Sequence, residues 1–224
     1  RPSVVLAYTV KGWGLPMASD PLNHAALLSE EQRDDLRRAS AYINQGRLAE
    51  AEQILVGLAE FAPKSRSTWY QLALCRQLQG KHELAMSPVR RALSIDQKFI
   101  PAQLLALDIE LAIEPERARA RMDRIVKLDG ENADTLFQVA RIALRKLQAN
   151  RLAASLLQRA QAIRPDSQEG LELQAELLVT EGQQRAALSL YEQLIERSPR
   201  NPDLLQARVV LLATLGRKQD TMAA

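Results

Sequence analysis

Few side chains in this sequence could do chemistry. His24 and His82 are its two histidines, and Cys75 is its one cysteine. Acid–base catalysis, nucleophilic attack or metal binding needs such groups at set spacings. There is no His-Glu-x-x-His, no glycine-rich phosphate loop and no nucleophile elbow. A lone cysteine excludes an internal disulfide and any multi-cysteine metal centre. Cys75 falls among apolar neighbours in a helical pattern and reads as a buried structural thiol. Glu30-Glu31 and Asp34-Asp35 read as helix-start charges. The pattern that remains suits recognition. Glu169, Glu172 and Glu176 fall three and four apart, on one face of a helix.

Composition narrows the class further. A chain of 224 residues, 46% hydrophobic, can bury a large core. Aromatics are 4%, so that core must be mostly Leu and Ala, which suits closely packed helices better than a sheet sandwich. The 30 basic and 27 acidic residues are mixed along the chain, and a net charge of +3 argues against nucleic acid. No apolar run reaches the roughly 20 residues that span a bilayer. The cytoplasm is the expected compartment. The sequence starts with Arg, so a targeting signal can lie upstream of it.

The elements that must position any recognition face are helical hairpins. From Ser67 to Asp96, Trp69, Leu72, Ala73 and Arg76 mark one helix face. Gly80 breaks that helix, and a second stripe runs through Leu84, Ala85, Val89, Ala92 and Ile95. Neither helix can bury its stripe alone. The unit recurs. Gly46, Gly80, Gly182 and Gly216 lie at multiples of 34, as do Ala51, Ala85, Ala153 and Ala187. Ala39, Ala73 and Ala175 keep that phase, and so do Pro63, Pro165 and Pro199. Glycine permits a left-handed turn, alanine lets helices approach, and proline ends the second helix.

A two-helix unit of this length with these small residues resembles the tetratricopeptide repeat (TPR) family. Trp69, Leu72, Ala73, Gly80, Ala85 and Ala92 carry the resemblance in one unit, and Ala39, Tyr42, Gly46, Ala51 and Pro63 in another. It implies an all-α, right-handed α-solenoid over residues 29–224, with units 32–65, 66–98, 99–132, 133–167, 168–201 and a partial sixth, 202–224. Ser29 to Gln32 reads as a capping box that opens the first helix. Pro88 should kink its helix. Ile113-Glu114-Pro115 stands where glycine is expected, so that turn must be of another type. Asn150 is expected to supply the left-handed residue in the fourth unit.

Stacked hairpins of this kind line a concave surface with their first helices. Projection of the matching face predicts a partner-binding groove of Tyr70, Leu74, Gln77, Gln103, Leu107, Phe137, Arg141, Glu169, Glu172 and Glu176. Its middle is apolar and aromatic and one end is acidic. A protein or peptide segment with hydrophobic anchors and a basic end fits it. Some members of the family hold a C-terminal carboxylate with groove lysines and asparagines; the projected positions have neither. RNA-binding helical repeats use a recurring polar pair, which is absent. No cofactor, metal or catalytic activity is expected, and the oligomeric state is left open.

Residues 1–28 do not share the repeat. Val4 to Val10 reads as a strand, followed by a loop rich in Gly and Pro. VVLAYTVKGWGLP with DPLNHAALLSEEQ is similar to a short piece of the thiamine-diphosphate enzymes of the transketolase and pyruvate dehydrogenase E1 type. That resemblance implies Lys11, Gly12, Gly14 and His24 as positions near cofactor or substrate. The family's Gly-Asp-Gly metal and diphosphate motif is absent, so an extension without a cofactor site is the expected reading. Thiamine diphosphate with magnesium would raise the melting temperature only if the enzyme reading held.

Overall fold

The computed structural model describes residues 28–216, which contain eleven α-helices and no strand. In order they are α1 (Glu30–Asn44), α2 (Leu48–Phe61), α3 (Arg66–Leu78), α4 (His82–Ile95), α5 (Ile100–Ile113) and α6 (Pro115–Asp129). There follow α7 (Ala133–Arg145), α8 (Asn150–Ile163), α9 (Gln168–Thr180), α10 (Gln184–Arg197) and α11 (Pro202–Thr214). The strand expected at Val4–Val10 and the positions Lys11, Gly12, Gly14 and His24 lie outside the described residues.

The chain divides into two compact units, one through Asp129 and one from Gly130. Every first helix except α5, whose N-cap position is Phe99, has a side-chain cap. Ser29 forms the expected capping box: its hydroxyl accepts from Gln32 N at 3.2 Å, and its own N–H donates to Gln32 Oε1 at 3.0 Å. Ser65, Asn132, Ser167 and Asn201 cap α3, α7, α9 and α11. None of α2, α4, α8 and α10 has a side-chain cap.

The hairpin turns follow from glycine. Gly46, Gly80, Gly182 and Gly216 adopt φ near +75°. At the first of them, Gly46 N–H donates to Ile43 O and Arg47 N–H to Tyr42 O, so the last carbonyls of α1 are paired. In the third hairpin Glu114 alone, at φ −144°, joins α5 to α6, and Pro115 starts the new helix. That is the different turn the missing glycine required. In the fourth, the left-handed residue is Gln148 (φ 50°), not Asn150, which starts α8. Gln148 lies 34 residues before Gly182, so strict register identifies it.

Alanines fill the crossings. Ala39, Ala73, Ala85, Ala106, Ala175 and Ala187 are fully buried. In the first unit, one cluster joins Leu36, Leu55 and Leu58 to Leu72 and Cys75, and a second joins Tyr70 and Val89 to Phe99, Leu105 and Ile109. Trp69 packs against both, with its indole N–H on Pro63 O at 3.0 Å. In the second unit, Ala175, Leu188, Tyr191 and Leu194 pack with Leu204, Leu211 and Leu212 of α11.

Pro88 sits within α4, and the helix runs unbroken from His82 to Ile95. Proline has no N–H for the carbonyl four residues back. That carbonyl, Leu84 O, instead accepts from Arg76 Nη1 at 3.3 Å, while Arg76 Nε holds Glu52 at 2.8 Å. Lys81 joins the same carboxylate at 3.0 Å. Burial pushes the Glu52 carboxyl up, but its bonds from Arg76, Lys81 and Gln79 outweigh that and hold it below the usual range. Arg76→Met should therefore cost about 1.5–3 kcal/mol, as for hydrogen bonds to charged groups. The cost should fall by at least ~0.5 kcal/mol in a Pro88→Ala background, where the backbone pairs Leu84 O itself. Urea denaturation of the double-mutant cycle measures this coupling; additive effects would show that Arg76 does not serve the proline.

Candidate functional site

The predicted groove residues separate into three groups. Gln103, Leu107 and Phe137 are not surface residues: they are 2%, 0% and 0% exposed. Leu107 lies 34 residues after Ala73, at the crossing position that Ala39, Ala73 and Ala175 fill with fully buried side chains. The projection into α5 counted 33 residues from α3, and one residue turns a helix face by about 100°. Strict register places Asp108 and Leu111 on the open face; both are half-buried.

Gln103 belongs to a buried polar network that fastens α5 to α6. Arg121 Nε and Nη2 donate to the two oxygens of Glu110, each at 2.6 Å, and Nη1 donates to Gln103 Oε1 at 2.8 Å. Gln103 Nε2 donates in turn to Gln97 O at 2.7 Å. Glu110 is 3% exposed, and the fork geometry of arginine satisfies both of its oxygens. Phe137 lies beneath the Arg164 guanidinium, 5.3 Å from ring centre, and against Gly170, where a Cβ would come within 3.1 Å of the ring.

Tyr70 is 8% exposed and meets Phe99 edge-on at 5.3 Å, with the Arg66 guanidinium 4.7 Å over the Phe99 ring and paired to Asp96. Its hydroxyl is buried with no hydrogen-bond partner among the described residues, and burial pushes the phenol well up. An orphaned buried hydroxyl destabilises. Tyr70→Phe is expected to raise stability by about 1 kcal/mol in urea denaturation, whereas a loss would show that the hydroxyl has a partner.

The remaining residues lie on the open faces of the first helices, joined by polar bridges between neighbours. In the first unit, Ser40 Oγ donates to Gln71 Oε1 at 2.8 Å and Gln77 Nε2 to Asp108 Oδ2 at 2.6 Å; Gln77 Oε1 also meets His82 Nδ1 at 2.7 Å. Leu74 is half-buried beside them. In the second unit, Arg141 pairs with Glu169, and Arg145 grips Glu176 through two nitrogens, with Nε at 2.8 Å. Burial pushes the Glu169 carboxyl up against the opposing pull of Arg141. Glu172 accepts from Gln168 at 2.8 Å. Arginines of α7 thus compensate Glu169 and Glu176, while Glu172 accepts only from a neutral amide.

Above the Arg145–Glu176 pair lies a cleft of about 660 Å³, walled by Leu144, Val179 and the Tyr191 ring and edged by Gln148 and Asn150. Val179 is 38% exposed. The Tyr191 phenol is raised to about 12 by burial. In the first unit, a cleft of about 770 Å³ near the α1–α2 turn is crossed by the Arg47–Glu50 and Lys81–Glu52 pairs, so its charges are met internally. Cys75 donates to Leu48 O at 3.1 Å, and burial pushes its thiol up to about 11, so it is an inert structural residue. Among the described residues no group of three His, Cys, Asp or Glu is placed to hold a metal ion, and no helix is long and apolar enough to cross a membrane.

This architecture is the tetratricopeptide-repeat fold. The chain is similar to PilW, a type IV pilus biogenesis factor, at 18% identity with a TM-score of 0.73, over 87% of this chain and 90% of that one. It is similar to a TPR protein from Parabacteroides merdae at 19% identity and a TM-score of 0.70, over 87% and 77% of the two chains. A third likeness is to YrrB, described as a TPR protein with an unusual peptide-binding site, at 20% identity and a TM-score of 0.52, over 75% and 87%. At these identities the likeness is one of fold. No family model matches the chain, and no curated protein does. The comparisons give no support to the resemblance of residues 1–28 to thiamine-diphosphate enzymes.

Proposed function

We propose that this chain is a non-catalytic scaffold for protein–protein interaction, and that it takes up a partner segment on the open faces of its first helices. Leu74, Gln77, Asp108 and Leu111 form that face in the first unit; Arg141, Arg145, Glu172, Glu176 and Val179 form it in the second. The observation that carries the reading is the cleft at Val179. Its lining joins Leu144, Val179 and the Tyr191 ring to the polar Gln148, Asn150 and Thr180, and its two charges neutralise each other, so it suits an uncharged aliphatic or aromatic anchor flanked by backbone that Gln148 and Asn150 can pair. The fold shared with YrrB, a peptide-binding TPR protein by its description, supports the same use of the fold.

Selection of peptides from a random library on the full chain tests the proposal. Enriched peptides should share one apolar anchor, and Val179→Glu should weaken their binding at least ~10-fold, since an unpaired carboxylate would replace the apolar wall that the anchor meets. Val179 is exposed, so helicity should not change. Peptides that ignore Val179→Glu would move the site off this face.

A further inference from the structure

The second helices of the first unit end in large apolar side chains that no core uses. Phe61, the last residue of α2, is 79% exposed. Ile95 ends α4, 34 residues later, and Leu128 lies 33 further on, the offset at which the buried Ala118, Met122 and Ile125 of α6 repeat Ala85, Val89 and Ala92 of α4; Ile95 and Leu128 are both 37% exposed. Equivalent positions of stacked hairpins fall on one edge of the unit, where each second helix gives way to the next hairpin. Exposed apolar residues scattered singly are ordinary, but a row at one register position marks an interaction surface.

The same edge carries cations. Lys64 follows Phe61, Arg91 and Lys98 bracket Ile95, and Arg124 and Lys127 precede Leu128. All five are exposed, and none has an ion-pair partner among the described residues. Asp96, the acid nearest Ile95, is occupied by Arg66, and Glu60, Asp123, Asp129 and Glu131 stand against the five.

We propose that this edge of the first unit docks on an anionic lipid surface. The apolar side chains enter the boundary between headgroups and acyl chains, and the lysines and arginines meet the lipid phosphates. Nucleic acid fits less well, because binding there pairs cations with stacking rings, and Ile95 and Leu128 offer none.

Flotation of the full chain with phosphatidylcholine vesicles, with and without phosphatidylglycerol, tests the proposal. Binding is expected only when the anionic lipid is present, and it should weaken as salt is raised. Phe61→Ser with Ile95→Ser, and separately Lys64→Glu with Lys98→Glu and Lys127→Glu, should each lower the partition coefficient at least ~10-fold, from lost apolar insertion and lost charge attraction respectively. These positions are exposed, so unchanged helicity is expected as the control. No flotation, equal flotation with phosphatidylcholine alone, or unchanged binding by the variants would overturn the proposal. So would a concentration-dependent dimer, seen by sedimentation velocity and lost in Phe61→Ser/Ile95→Ser, which would assign the edge to contacts between copies of the chain.

Discussion

Arg121→Met should cost about 3–5 kcal/mol of folding stability, the range for removing one partner of a buried ion pair. Glu110 is 3% exposed, and both its oxygens are held by this one guanidinium at 2.6 Å. Methionine fills much of the same volume but leaves a carboxylate with nothing to offset its lost hydration. Gln103 Oε1 would lose its partner as well. The loss should be local to the α5–α6 hairpin, whose one-residue linker at Glu114 lacks the glycine turn of the others. Glu110→Leu added to Arg121→Met should recover most of it, since replacing both charges with apolar groups is often near neutral. Chemical denaturation reads both; a single-variant cost below ~1 kcal/mol would show that water reaches Glu110.

Phe137→Ala is the second large effect, at about 3–5 kcal/mol for emptying a fully buried aromatic site. The ring is 0% exposed, capped by Arg164 and backed by Gly170. This separates two accounts of the residue. A ligand anchor in a groove would lose binding at nearly constant stability, whereas a core ring loses stability first. Thermal and urea unfolding of the variant distinguish them, and unchanged stability would return Phe137 to the binding face.

The hairpins were legible because their signals are local and repeated. Glycine at Gly46, Gly80, Gly182 and Gly216 and alanine at Ala39, Ala73 and Ala175 report backbone shape and crossing distance, each set by a single residue. Gln148 was missed because its conformation is carried by register and not by residue type. The face of α5 was misread for a related reason: a slip of one residue exchanged Asp108 for Leu107 and turned the projection inward. Pair chemistry was not legible at all. Ser40–Gln71, Gln77–Asp108 and Arg145–Glu176 each join residues 31 apart, and nothing in the sequence marks those positions as partners. Glu169, Glu172 and Glu176 therefore read as an open acidic stripe, although arginines of α7 pair Glu169 and Glu176. Arg76 was visible as a face residue, but its service to the carbonyl freed by Pro88 depends on the packing of α3 against α4.

Hydrogen exchange of the full chain with and without a peptide selected on it tests the recognition surface most directly. The account predicts added protection in the C-terminal halves of α7 and α9, around Arg145 and Val179, that disappears in Val179→Glu. Protection confined to the second helices, or none in α7 and α9, would contradict it.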